Sequence, residues 1–326
     1  MHYLGSKVKL IPFLRSSIEA VVGKEFKKSH FCDLFAGSGA VTEAFKESVG
    51  ELTSNDKEFY SYILLRNMLR KKPLDGLEEA VERLFTCKKR EGFIFKHYAL
   101  GGGFERHYFS DENAQKIDAL RQEIEQFREN ETVYICLLAS LLHSAHHVAN
   151  TASVYSAFLK KLKPLAKETL AFKPIIYPMI TIPCNTFCED ANVLIERISG
   201  DVLYLDPPYN RRQYAANYHL LNTIASYDNI VPRGKTGVRM YESSRFCKDK
   251  TALSALEEIV SKAQFTTIFL SYNNEGLIPQ ETLIEMMKKY GAYTQFSHEH
   301  PRFKAPHKHG KNPKTIEFLH VLEKKG

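Results

Sequence analysis

The chain has 326 residues, 44% hydrophobic and 25% charged, which excludes a disordered or fibrous polypeptide and leaves room for one large or two medium globular domains. Lys and Arg number 45 against 38 Asp and Glu, and the net charge of +7 permits a polyanionic partner without requiring one. Six cysteines without a CxxC pair argue against a structural zinc site, Met1 to Lys7 does not read as a signal peptide, and no apolar run reaches the roughly 18 residues of a membrane span, so the expectation is a cytosolic protein with reduced thiols.

Tyr3-Leu4-Gly5-Ser6-Lys7 is a short glycine turn between an aromatic and a lysine. Residues 9–22 then carry apolar side chains at helical spacing, with Ser6 as a candidate cap. His30-Phe31-Cys32-Asp33-Leu34-Phe35 runs into Ala36-Gly37-Ser38-Gly39 and a second helical pattern. This is the first strand-turn-helix unit of a doubly wound sheet, whose glycines let backbone approach a ligand. It is not a phosphate loop, because no Gly-Lys-Ser/Thr follows, and it lacks the spaced triple glycine of nicotinamide dinucleotide folds. Asp56 closes the next strand. An acid about 20 residues past the glycine turn is placed to accept from ribose hydroxyls, and Asn55-Asp56 can also cap the following helix.

The middle of the chain reads as helical. Residues 77–85 and 114–129 carry apolar side chains at helical spacing, and 132–150 is a more buried helix. Gly101-Gly102-Gly103 is a turn. Lys88, Lys89, Arg90, Lys96 and Arg106 mix with Phe93, Phe95 and Tyr108, as on a nucleic-acid surface or a solvated helical face. His143, His146 and His147 lack a completing carboxylate and read as packed or capping histidines. After Cys184, a short strand ends near Asp190, which can cap the next helix.

Val202-Leu203-Tyr204-Leu205 is a buried strand, and Asp206-Pro207-Pro208-Tyr209 follows at its carboxyl end. Two prolines fix φ and remove two donors, so the chain leaves the sheet as a stiff turn with free carbonyls. An acid, rigid carbonyls and an aromatic ring form a site for a planar group with an amino substituent. Residues 233–250 are a basic, glycine-containing loop, and 268–276 are a further buried strand ending in polar residues. Residues 302–314 concentrate cations without an acid, which suits phosphates or solvent. Residues 315–323 alternate as a closing strand.

Tyr3 to Lys7, Asp33 to Gly39, Asp56 and Asp206 to Tyr209, in that order, resemble the N6-adenine-specific DNA methyltransferases of the DNA adenine methyltransferase (D12/alpha) class. The stretch from Asp206 to Asn222 is closest in look to the adenine methyltransferases of type IIS restriction-modification systems. The resemblance covers about 1–70 and 180–326. It implies an α/β, Rossmann-like sheet that uses S-adenosylmethionine (AdoMet) without a metal, over 1–70 and 180–326, with a mainly helical target-recognition insertion over 71–179. Asp206, Pro207, Pro208 and Tyr209 would be catalytic. Tyr3, Lys7, Asp33, Phe35, Ala36, Gly37, Ser38, Gly39, Asp56, Asp190 and Asp206 would bind the cofactor. Arg211, Arg212, Lys304, Lys308 and Lys311 would meet double-stranded DNA. The implied substrate is a flipped-out adenine, at an asymmetric site if the type IIS likeness holds, with an independent restriction endonuclease as cognate partner, in a monomeric, cytoplasmic enzyme. Three alternatives stand beside it: a cytosine-N4 methyltransferase, which would tend to carry Ser in place of Asp206; an RNA adenine methyltransferase; and a DNA-binding protein without catalysis, which would show a broken glycine loop or Asp-Pro-Pro-Tyr turn.

Overall fold

The computed structural model describes residues 7–301 and 314–324. Tyr3, Lys304, Lys308, Lys311 and the candidate cap Ser6 lie outside the described residues. Among the described residues seven strands form one sheet: β1 (His30–Asp33), β2 (Glu51–Asn55), β3 (Cys184–Phe187), β4 (Ser199–Leu205), β5 (Gln264–Asn273), β6 (Gly291–Pro301) and β7 (Lys314–Lys324). Their order is β3-β2-β1-β4-β5-β7-β6. The first five are parallel, and β7 pairs antiparallel with both β5 and β6. Parallel strands need both faces covered, and their apolar runs are buried accordingly: Phe31 and Cys32 on β1, and Val202 to Leu205 on β4, are at most 1% exposed.

The chain divides into two compact units. The described residues of Lys7–Lys57, Ile182–Gln213 and Ser243–Gly326 form the sheet unit. Its core joins Leu203, Leu205, Ile268 and Leu270 to Leu256 and Ile259 of the helix Ala252–Lys262. The N-terminal helix Ile11–Val22 carries Pro12 in its first turn, where a missing amide hydrogen costs nothing, and follows a 3-10 turn, Lys7–Leu10.

The second unit is helical and comprises Glu58–Thr181 with Tyr214–Glu242. The three helical stretches read from periodicity are present as Leu77–Thr86, Asp111–Ile124 and Glu131–Val148. Ser110 and Asn130 cap the latter two by accepting from the Asn113 and Val133 amides. Ile117, Leu120, Leu137 and Leu141 pack with Leu221 and Ile224 from the returning segment. The basic loop read over 233–250 opens on an ordered turn. Arg233 and Val238 pair across a tight turn with Gly234 and Gly237 at positive φ, 64° and 69°. Arg106 is 6% exposed and donates to the carbonyls of Gly234, Lys235 and His97, while Tyr98 Oη donates to the Gly237 carbonyl at 2.7 Å. Arg106 is therefore a buried strut, not part of a basic surface. Among the described residues no helix is long and apolar enough to cross a membrane.

Candidate active site

The strand order reverses between β1 and β4. From β1 the chain winds outward through β2 to β3, then restarts on the other side at β4 and β5. Because these strands are parallel, their carboxyl ends share one edge, and ligands of such sheets bind at the reversal. Asp33 ends β1, Asp56 follows β2, Asp190 follows β3 and Asp206 follows β4.

At β1 the chain enters the glycine turn. Gly37 and Gly39 have φ of 54° and 78°, a left-handed backbone that suits glycine. The Gly39 amide closes the turn on the Ala36 carbonyl at 2.8 Å, and Ala36 N–H bonds the Asn55 carbonyl at 2.9 Å. The Gly37 amide donates to Asp56 Oδ2 at 2.8 Å. Phe35 packs edge-on against Phe246, with centroids 5.1 Å apart, and Ser38 sits partly exposed in the same turn. Asp33 is 1% exposed. Its Oδ2 accepts from the Thr42 amide and hydroxyl at 3.1 and 2.8 Å. Its Oδ1 is buried with no hydrogen-bond partner among the described residues. Burial pushes this carboxyl up to about 7; the Thr42 hydrogen bonds oppose the shift, and Asp206 and Asp56 add to it.

Asn55 stitches the neighbouring strand ends together. Its Nδ2 donates to the carbonyls of Leu34 and Glu189, and its Oδ1 accepts from the Glu189 amide. Asp190 caps the turn of helix Ala191–Leu194 by accepting from Asn192, and its other oxygen pairs with Lys57 Nζ at 3.0 Å.

At β4 the Asp-Pro-Pro-Tyr turn meets the start of the described chain. Lys7 is 4% exposed, and its Nζ lies 3.0 Å from Asp206 Oδ1 and 2.8 Å from Glu317 Oε1. The contact to Glu317 is an aligned hydrogen bond; the contact to Asp206 is an ion pair without that alignment. Ser271 Oγ also donates to Glu317 Oε1, at 2.6 Å. Burial lowers Lys7, but Asp206 and Glu317 outweigh it and hold the ammonium well above the usual lysine range. Burial pushes Asp206 up to about 6, with Lys7 opposing and Glu317 adding. The Tyr209 ring stands edge-on to Tyr272 at 6.1 Å, with Lys7 Nζ 5.6 Å from its centroid. Leu277 N–H bonds the Tyr209 carbonyl and pins the end of the turn, while Pro207 is buried and Pro208 partly exposed.

The structure thus gathers Lys7, Asp206 and Tyr209 into one cluster and ties Gly37 to Asp56. Asp190 is linked to Lys57 instead. Arg211 is exposed and held by both oxygens of Asp249, and Arg212 is exposed. Sequence reasoning did not single out Glu317, Ser271 or Thr42, and it read Asn55 only as a candidate helix cap. Glu317 joins Lys7 across 310 residues, and no local pattern announces such a pair.

The doubly wound sheet, glycine turn and row of acids define an α/β methyltransferase of the AdoMet-dependent type. A family model, D12 class N6 adenine-specific DNA methyltransferase, matches residues 3–290. The chain is 46% identical to the type II methyltransferase M.NlaIII of Neisseria lactamica over 332 residues, 99% of each chain. It is 36% identical to the type II methyltransferase M.CviAII of Paramecium bursaria Chlorella virus 1, covering 93% of this chain and 92% of that one. Against the type II methyltransferase M.FokI of Planomicrobium okeanokoites it is 35% identical over 94% of its length and 50% of the relative's. The chain belongs to the D12 class of N6-adenine-specific DNA methyltransferases, enzymes of site-specific adenine methylation in restriction-modification systems. AdoMet is the methyl donor of this family. The match is to an adenine class acting on DNA, which sets aside the cytosine-N4 and RNA alternatives.

Proposed function

We propose that Asp206 and the carbonyl of Pro207 accept from the two amino hydrogens of a flipped-out adenine while Tyr209 offers its ring to the base. The exocyclic nitrogen is a poor nucleophile because its lone pair is delocalised into the ring. Two acceptors on a turn with no soft φ draw that nitrogen toward a pyramidal geometry and are oriented before charge develops. The observation that carries this reading is the ion-paired Asp206 at the end of β4, beside Tyr209 and Lys7. Reaching the amino group requires the base to leave the duplex.

AdoMet, when bound, supplies a methyl group made electrophilic by its sulfonium. The residues present fit this cofactor. The unpartnered, buried Asp33 Oδ1 suits an ammonium group, the Gly37 to Gly39 turn admits close backbone approach, and Asp56 stands at the ribose position of such folds. Phe35, Ala36 and Ser38 belong to the same turn, and Asp190 would face the adenine end.

DNA binding draws on separate features. Arg233 and Lys235 are exposed on the turn that Arg106 and Tyr98 hold, and that turn belongs to the helical unit, the candidate for target recognition. Arg211 and Arg212 are exposed cations just past the Asp-Pro-Pro-Tyr turn, and Arg211 could exchange Asp249 for a phosphate. Monomeric, cytoplasmic action on double-stranded DNA, beside an independent restriction endonuclease, completes the reading.

One experiment tests it. Labelled AdoMet is incubated with the protein and duplex DNA, RNA or no nucleic acid, and the modified base is identified. N6-methyladenine in DNA alone is expected. Asp206→Ala should abolish transfer while AdoMet binding stays measurable; near wild-type methylation by that variant would refute the assignment of Asp206.

A further inference from the structure

Glu317 is accounted for by neither the glycine turn nor the Asp-Pro-Pro-Tyr turn. It is 2% exposed on β7, and burying a carboxylate is costly unless a cation and hydrogen bonds compensate. Lys7 and Ser271 provide both. Yet Lys7 alone would already neutralise Asp206, so a second carboxylate is not needed to keep Asp206 ionised. It acts in the opposite sense.

The direction of charge movement gives the reason. Methyl transfer from AdoMet would form the nitrogen–carbon bond as the carbon–sulfur bond breaks, leaving a neutral thioether, and the positive charge that develops on the amino nitrogen of the base would be shed as a proton to solvent. A carboxylate whose charge is cancelled by a neighbouring ammonium does little for that nitrogen. With Glu317 also ionised, the group of Lys7, Asp206 and Glu317 keeps a net negative charge where the cationic nitrogen forms. Ser271 fixes the geometry from β5, and the antiparallel pairing places Glu317 opposite Asn273.

We propose that Glu317, held by Ser271, is a positioning residue for methyl transfer: it anchors the Lys7 ammonium and thereby leaves the Asp206 carboxylate its charge for the amino group of the target base. The proposal rests on the reading of Asp206 as the acceptor of that group. The titratable groups that bear on the cluster are Lys7 before the first helix, Asp33 at the end of β1, Tyr204, Asp206 and Tyr209 on and after β4, and His298 and His320 on the paired strands β6 and β7. Of these, Asp206 feels Glu317 as a like charge that raises its titration.

The test uses the full chain with Glu317→Gln, Glu317→Asp, Ser271→Ala and Asp206→Asn. Single-turnover transfer to duplex DNA is followed across pH, with AdoMet affinity measured separately. Glu317→Gln should slow transfer about 100-fold, the scale for losing one preorganised electrostatic partner. AdoMet affinity should be unchanged, and the acid limb of the rate profile should move to lower pH, because a like charge beside Asp206 is gone. Glu317→Asp should recover most of the rate. A purely structural Glu317 would reduce the amount of folded enzyme without moving that limb. Wild-type rate and an unmoved limb in Glu317→Gln, with Asp206→Asn inactive, overturn the proposal alone. An active Asp206→Asn overturns the reading of Asp206. If the Gln variant does not fold, Ser271→Ala decides. It keeps all three charges but loosens Glu317, so about tenfold slower transfer supports the proposal and wild-type rate overturns it.

Discussion

At Asp33, the end of β1 buries a carboxylate with one oxygen held by Thr42 and the other facing no donor among the described residues. The folded carboxyl titrates near 7, above its unfolded value. A raised acid favours the folded state in its protonated form. Its contribution is therefore fully present below the ordinary carboxylate range and is lost as pH rises through about 7. A cation at Oδ1 reverses this preference by favouring the ionised form. AdoMet affinity should accordingly rise between pH 6 and pH 8, with about one proton released per cofactor bound near pH 6. Calorimetry in two buffers of different ionisation enthalpy reads that proton directly. Asp33→Asn should weaken binding and remove the proton release. A flat affinity profile in the wild type would separate Asp33 from the cofactor. Asp33 and Asp206 were legible because each closes an apolar run at a strand end, and Asp56 because it stands about 20 residues past the glycine turn; these signals are local in the chain. Glu317 was not. It stands in an alternating strand like any other polar residue, and only the pairing of β7 with β5 brings it to Lys7.

Among the elements, helices with a 3.6-residue repeat were legible because the apolar stripe that marks their buried face is local in the sequence. The placement of Tyr214–Glu242 in the helical unit was not, since it rests on Leu221 and Ile224 packing with helices distant in the chain. The same segment carries the turn of Arg233, Gly234, Lys235 and Gly237, read from sequence only as a basic loop. What fixes it is long-range: a guanidinium and a phenol from residues 98–106 donate to the carbonyls of Gly234, Lys235 and Gly237. Removing the Tyr98 hydroxyl leaves the carbonyl of buried Gly237 unsatisfied, at about 1–3 kcal/mol. Two separable effects are expected. Arg233→Ala with Lys235→Ala should lower the slope of log affinity against log salt by about 2, one for each phosphate contact, at unchanged AdoMet affinity. Arg106→Lys keeps the charge but cannot reach the same set of carbonyls. It should raise amide exchange in residues 233–238 and weaken DNA binding without changing the slope. Fluorescence anisotropy on duplex DNA at several salt concentrations distinguishes the two, and an unchanged slope in the double variant would remove this turn from the DNA contacts.

For the whole molecule, the division into two units sets where cofactor energy is felt. Asp33, the glycine turn, Asp56, Asp190 and Asp206 all belong to the sheet unit. Each unit has its own continuous core, one built on the sheet and one on helices Asp111–Ile124 and Glu131–Val148. A ligand that binds only the folded sheet unit stabilises that unit by about 2.7 kcal/mol at a hundredfold excess over its dissociation constant. Hydrogen exchange with and without AdoMet should therefore slow the amides of Ala36, Gly37 and Gly39, together with β1, β2 and β4. The amides of helix Glu131–Val148 should keep their rates, because local opening of one core need not open the other. Duplex DNA added as a second ligand should then protect the turn around Lys235, and that second protection should fall away with added salt, as expected for a chain of net charge +7 meeting a polyanion. Equal slowing by AdoMet in helix Glu131–Val148 and in β1 would mean that the two cores open as one cooperative body. The cofactor would then stabilise the recognition candidate as strongly as the site it occupies.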